Sequence, residues 1–169
     1  MEPLELLYTR RSMRRYEETP VSEEDLNKIL KAAMLAPTAL NGQTWHFVVI
    51  RDKETRKKLI EYHPYMTFAE YADTVILVCG DTKAPTARFT FTDCAAATQN
   101  ILLAAHALGL GACWCAVHPY PERQDPIGKL CGLPEHIKVF SAVTVGHPGK
   151  ELPPVPDRFD PEKIHREKW

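Results

Sequence analysis

The chain has 169 residues, 44% of them hydrophobic, with 21 basic side chains against 22 acidic ones and a net charge of -1. That length suits one domain over residues 1–169 with a core of ordinary size, and leaves no room for a second. Balanced charge excludes global attraction to nucleic acid or anionic lipid, so any anion must be held by a local patch.

Met1-Glu2-Pro3 runs directly into a charged amphipathic segment with no apolar signal region, the pattern of a cytoplasmic protein. Leu4, Leu6 and Leu7 predict a short opening helix that delivers a basic loop, Arg10-Arg11-Ser12-Met13-Arg14-Arg15. Ser22 with Asp25 resembles a helix cap, and Leu26, Ile29, Leu30, Ala33 and Leu35 predict an apolar helical face that ends at Pro37. Small polar residues then lead to an apolar strand over 45–50, a charged helix over 53–62, an aromatic connector over 64–71 and a second strand over 74–79. Residues 93–108 are almost continuously apolar and close on Gly109, which predicts a buried central helix. Thr98, Gln99, Asn100 and His106 are too costly for lipid, and the segment is too short to span a membrane. A strand over 112–117, a helix over about 122–131 and a strand over 139–145 complete the core. From His147 to Pro161 five prolines replace apolar periodicity, so an extended arm is expected there.

Four guanidinium groups and a hydroxyl within six residues, on a nearly neutral chain, make the loop at 10–15 a candidate anion site. Each charge-assisted hydrogen bond from an arginine contributes about 1.5–3 kcal/mol, and two or three would hold a phosphate dianion. An isolated cluster of this kind is as often a solvated basic face. Asn41 and Gln43 carry amides that both donate and accept, which suits the alternating edge of a flavin ring, although Asn-Gly is also a common turn pair. Gly109-Leu110-Gly111 follows a helix and precedes a strand, the reverse of a dinucleotide-binding turn. Cys79, Cys94, Cys113, Cys115 and Cys131 lack the spacing of a disulfide framework and read as reduced, mostly buried thiols. Cys113-Trp114-Cys115 with His118 is too closely spaced, and lacks the second ligand pair, for a structural zinc site, so no metal is expected. His106, His118 and His147 read as structural or solvent-facing, with His118 placed to line a substrate pocket. No nucleophile triad or catalytic carboxylate pair stands out.

Taken in order, Arg10-Arg11-Ser12-x-Arg14, Pro37-Thr38-x-x-Asn41-x-Gln43-x-Trp45, Gly109-Leu110-Gly111-Ala112-Cys113-Trp114, and Val145-Gly146-His147-Pro148 with Arg158-Phe159 and Trp169 resemble the motifs of the FMN-dependent nitroreductase family. The resemblance covers nearly the whole chain. It implies an α+β fold with a central mixed or antiparallel sheet flanked by helices, and a homodimer that holds two FMN molecules and is wrapped by arms of residues 148–169. By that resemblance Arg10, Arg11 and Ser12 hold the phosphate and ribityl chain, Arg14 reaches the N1 and C2-carbonyl edge, and Arg158 folds back to the phosphate. Pro37, Thr38, Ala39, Asn41 and Gln43 would come from the other subunit. The strand end at Cys115, Ala116 and Val117 would lie against the ring with a backbone N–H aimed at N5; family members often have glycine there, and Ala116 and Val117 depart from it. The activity implied is ping-pong transfer of a hydride from NADH or NADPH to flavin N5 and on to a nitroaromatic, a quinone or a similar electron-poor small molecule. Dehalogenation, flavin fragmentation and enone reduction are alternatives on the same fold, as is FMN storage or sensing with little turnover. A nucleic-acid module is a poor rival, because the basic loop has no interleaved aromatics or basic stripe.

Overall fold

The computed structural model describes residues 2–169. Four strands, β1 (Trp45–Ile50), β2 (Thr74–Asp81), β3 (Gly111–Ala116) and β4 (Ile137–Gly146), form one sheet in the order β1-β2-β4-β3, with every pair antiparallel. Of the two expected sheet types, antiparallel is the one found. Val75, Ile76, Leu77 and Val78 on β2 are fully buried, which is why that strand reads as a continuous apolar run and not as an alternation.

Alternate residues feed two cores. Ile76, Val78, Ala112, Val143 and Val145 pack on one face with α2 (Glu23–Met34) and α4 (Thr90–Ala107). Val75, Leu77, Cys79, Cys113, Cys115 and Val139 pack on the other with α3 (Lys53–Tyr62), the 3-10 turn Pro64–Glu70 and α5 (Pro121–Leu130). The Ser22 hydroxyl accepts from the Asp25 N–H at 3.0 Å and caps α2 as expected. Leu26, Ile29 and Ala33 are buried on that helix, but Leu35 is 73% exposed. Position 35 falls off the 3.6-residue stripe, and Ala36 takes the buried place.

The central helix starts at Thr90, three residues before the apolar run suggested. The Thr90 hydroxyl bonds Thr44 Oγ1 at 2.7 Å and the Asp81 carbonyl at 3.0 Å, so tertiary contacts outweigh the weak helix preference of a Thr-Phe-Thr start. Its end is the expected one. Gly109 adopts φ +74, and the Leu110 N–H returns to the Ala105 carbonyl at 2.8 Å, a left-handed cap that turns the chain into β3.

Beyond β4 the arm begins by pairing with the basic loop: Glu17 N–H bonds the His147 carbonyl, and Gly149 N–H bonds the Arg15 carbonyl at 2.8 Å. A short opening helix, α1 (Pro3–Thr9), lies beside the later part of the arm. No helix among the described residues is long and apolar enough to cross a membrane.

All five cysteines are free, and four are buried. Burial pushes the Cys79 and Cys94 thiols up to about 12. An unfolded thiol ionises near 9, so between those values the unfolded chain has lost protons that the folded chain keeps, and stability falls as pH rises. The slope is about 1.4 kcal/mol per pH unit for each thiol. Thermal melting from pH 8 to 11 should show this decline, and Cys94→Ala should flatten it. An unchanged slope in that variant would mean that the thiol ionises freely in the folded state.

Candidate functional site

The outer edge of β3 organises the basic loop. Ser12 bridges Ala112, and the Met13 N–H bonds the Ala112 carbonyl at 2.9 Å, so residues 12–13 run as a fragment of a fifth strand. Met13 is buried and lies over Gly111, where an added Cβ would approach its Cγ to 2.5 Å. With Met13 turned inward, Arg14 is left exposed, its guanidinium 5.9 Å from the centre of the Phe68 ring. Arg10, Ser12 and Arg14 all act on Cys113 from this side. The neighbouring Cys115 thiol, helped by Arg14, draws Cys113 below the usual thiol range while burial opposes it, and Cys115 is pushed up correspondingly.

Arg11 has a different employment. Its guanidinium donates to the Pro153 carbonyl at 2.7 Å and the Pro154 carbonyl at 3.2 Å, which pins the arm. As a result Arg158 meets Arg10 across a cavity of about 370 Å³ that Leu7, Tyr8, Pro156 and Phe159 also line. Two guanidinium groups, 148 positions apart in sequence, thus face one space.

Beside the far end of β3, the ladder between β2 and β4 is interrupted by a bulge. Val78 pairs Ser141 and Cys79 pairs Val139, leaving Phe140 as the extra residue of β4. Its carbonyl accepts from both Val117 N–H at 3.2 Å and His118 N–H at 2.8 Å. The N–H of Val117 is therefore directed into the sheet. Because the Ala112 carbonyl faces Met13, strand alternation turns the backbone groups of Trp114 and Ala116 to the same outer side. Ala116 is exposed there, between buried Cys115 and Val117. Its carbonyl accepts from Nε2 of His63 and from Arg123, each at 2.9 Å. Neither partner carried a sequence signal, since Arg123 reads as an ordinary surface charge in a helical first turn. His118 stacks on Phe91 at 4.0 Å and sits 5.9 Å from Phe140.

The loop at 37–43 is not gathered into this site. It precedes β1, the opposite edge of the sheet, about 14 Å from β3 at about 4.8 Å per strand. Gln43 Nε2 donates to Asn41 Oδ1 at 2.9 Å, and the Ala39 N–H bonds Asp93 Oδ1 at 3.2 Å. Leu40, Asn41 and Gln43 all have positive φ, and all three are exposed with Pro37.

The nitroreductase family model matches residues 7–64 and 63–147. A protein of Archaeoglobus fulgidus, provisionally named an NADH dehydrogenase/NAD(P)H nitroreductase, is 48% identical over 99% of both chains. Among solved structures, an FMN-dependent nitroreductase from Clostridium difficile superposes with a TM-score of 0.92 at 30% identity, covering 98% of this chain and 99% of the other. A provisionally named nitroreductase from Desulfovibrio desulfuricans, solved in complex with FMN, gives 0.87 at 32% identity over 100% and 99%. The sheet order, the basic loop on the edge of β3 and these matches over nearly the full length agree: the chain belongs to the nitroreductase family.

Proposed function

We propose that the chain is an NAD(P)H-dependent oxidoreductase that binds one FMN per subunit along the outer edge of β3, in a homodimer whose second subunit closes the site with its loop at 37–43. When bound, FMN supplies hydride chemistry, with NADH or NADPH and then a nitroaromatic, quinone or similar acceptor occupying the same face in turn. The observation that carries this reading is that the loop bearing Arg10, Ser12 and Arg14 runs along the edge of β3 while Arg158 meets Arg10 across a shared cavity, a donor set of the charge that a phosphate and a ring edge require. The relatives named for NAD(P)H and FMN support it.

Each residue then has a task. Arg10 and Arg158 hold the phosphate from two sides, and Ser12 donates beside them. Arg11 works through the arm, keeping Arg158 in reach. Arg14 fixes a positive charge beside the ring edge that gains electron density on reduction, which favours the reduced state. Cys115 and Val117 pack the strand end from below, and Ala116 offers the outward N–H. Because the loop amides of Asn41 and Gln43 lie at the opposite sheet edge, one chain cannot close its own site. Leu4, Leu7, Met34 and Leu35 are exposed apolar residues that a partner would cover.

Protein purified without denaturant should be yellow and release FMN, not FAD, when denatured, as read by chromatography of the supernatant. Colourless protein that also fails to take up added FMN would falsify the reading.

A further inference from the structure

Arg123 stands apart from the cations that converge on the phosphate. Its guanidinium lies 4.1 Å from the ring centre of Tyr120 and 5.5 Å from that of Tyr65, and one N–H is fixed on the Ala116 carbonyl at 2.9 Å. Two aromatic faces and a backbone oxygen hold its plane, yet they use only one of its five N–H donors. No carboxylate among the described residues pairs with it. The tyrosines are uncovered as well, Tyr65 at 75% and Tyr120 at 41% exposure. His63, which shares the carbonyl, brings no competing charge, because burial holds its pKa below the usual range. The result is an unpaired cation held against two exposed tyrosines beside Ala116.

We propose that Arg123, Tyr65 and Tyr120 form a subsite for a planar aromatic acceptor bearing a carboxylate. The carboxylate pairs with the free fork of Arg123, and the ring lies against the tyrosines, reaching toward Ala116. This rests on the proposed function above, which puts the reacting ring at that strand end. A single cation suits a monoanion on an arene better than the pyrophosphate of a nicotinamide, which calls for several. The subsite therefore selects among acceptors and leaves donor binding to other residues.

The test is calorimetric titration of the FMN-loaded protein with benzoate, its neutral analogue benzamide, and ADP-ribose, in wild type, Arg123→Gln and Arg123→Lys. Wild type should prefer benzoate over benzamide by about tenfold, the size of one charge-assisted hydrogen bond at a half-exposed site. Arg123→Gln should collapse that ratio, and Arg123→Lys should keep most of it. An equal loss for both ligands would reduce Arg123 to a tie for the strand end and overturn the proposal. So would wild type that does not distinguish the two, or a loss in Arg123→Gln confined to ADP-ribose. The heat of benzoate binding can be read with or without flavin, and flavin content is measured on the same samples. Absence of FMN would thus sink the cofactor reading separately, while the benzoate ratio still decides the subsite.

Discussion

We expect Arg10→Ala to weaken FMN binding by about 2–3 kcal/mol, which is roughly 30- to 150-fold. Arg10 leaves α1 in an extended conformation and faces the cavity that Arg158 also lines. Removing it would delete charge-assisted bonds to the phosphate proposed there and leave Arg158 and Ser12 to hold it. Arg158→Ala should cost less, because that residue is exposed and carried by an arm without sheet structure. The double variant should lose less than the sum of the two, since on the proposed reading both would act on one phosphate. Flavin fluorescence on titration into the apoprotein gives all three values. Unchanged affinity in Arg10→Ala would place the cluster in solvent.

Deleting residues 148–169 should weaken the dimer and lower FMN retention together. The arm has no core of its own: Trp169 is fully exposed, Phe159 is 73% and Ile164 51% exposed. Burying Trp169 against a second subunit would contribute about 2–3 kcal/mol from apolar area. The same deletion removes Arg158 and frees Arg11 from the carbonyls of Pro153 and Pro154. A point variant tests the same hinge with the chain complete. A Cβ at Gly149 would sit 3.0–3.1 Å from the backbone of Tyr16, so Gly149→Ala must push the arm away from the basic loop. Sedimentation at several concentrations with flavin content is the measurement. A truncated chain that stays a tight dimer with full FMN would show that the arm is dispensable and move the interface to the exposed apolar residues near α1 and α2 and the half-exposed side of α4.

Much of the fold was legible because apolar runs announce themselves. Strand β1 and helix α3 fall at the expected residues, and Gly109 caps α4 as its place implied. Strand order was not legible. Nothing in the spacing of Asn41 and Gln43 from Arg10 and Arg14 says that they sit on opposite edges of the sheet, since pairing is settled by packing across the whole layer. The bulge at Phe140 was hidden for a related reason: an extra residue inside an apolar run leaves the composition unchanged, while it shifts the register of β4 against β2. His63 and Arg123 were missed because their shared partner is a backbone carbonyl, which every residue has.

The left-handed run in the loop before β1 bears on how such a chain responds to selection. Leu40, 82% exposed with φ 53, holds a conformation that disfavours an L side chain by about 1–2 kcal/mol, and Gln43 repeats the situation three residues on. Glycine at either position would relax each subunit by itself. Screening for heat resistance alone would therefore favour glycine there, and, with the loop closing a neighbour's site as proposed, would enrich chains that are sturdier apart and less ready to complete that site. On that proposal, tolerance of temperature and competence in assembly pull on the same few backbone angles in opposite directions.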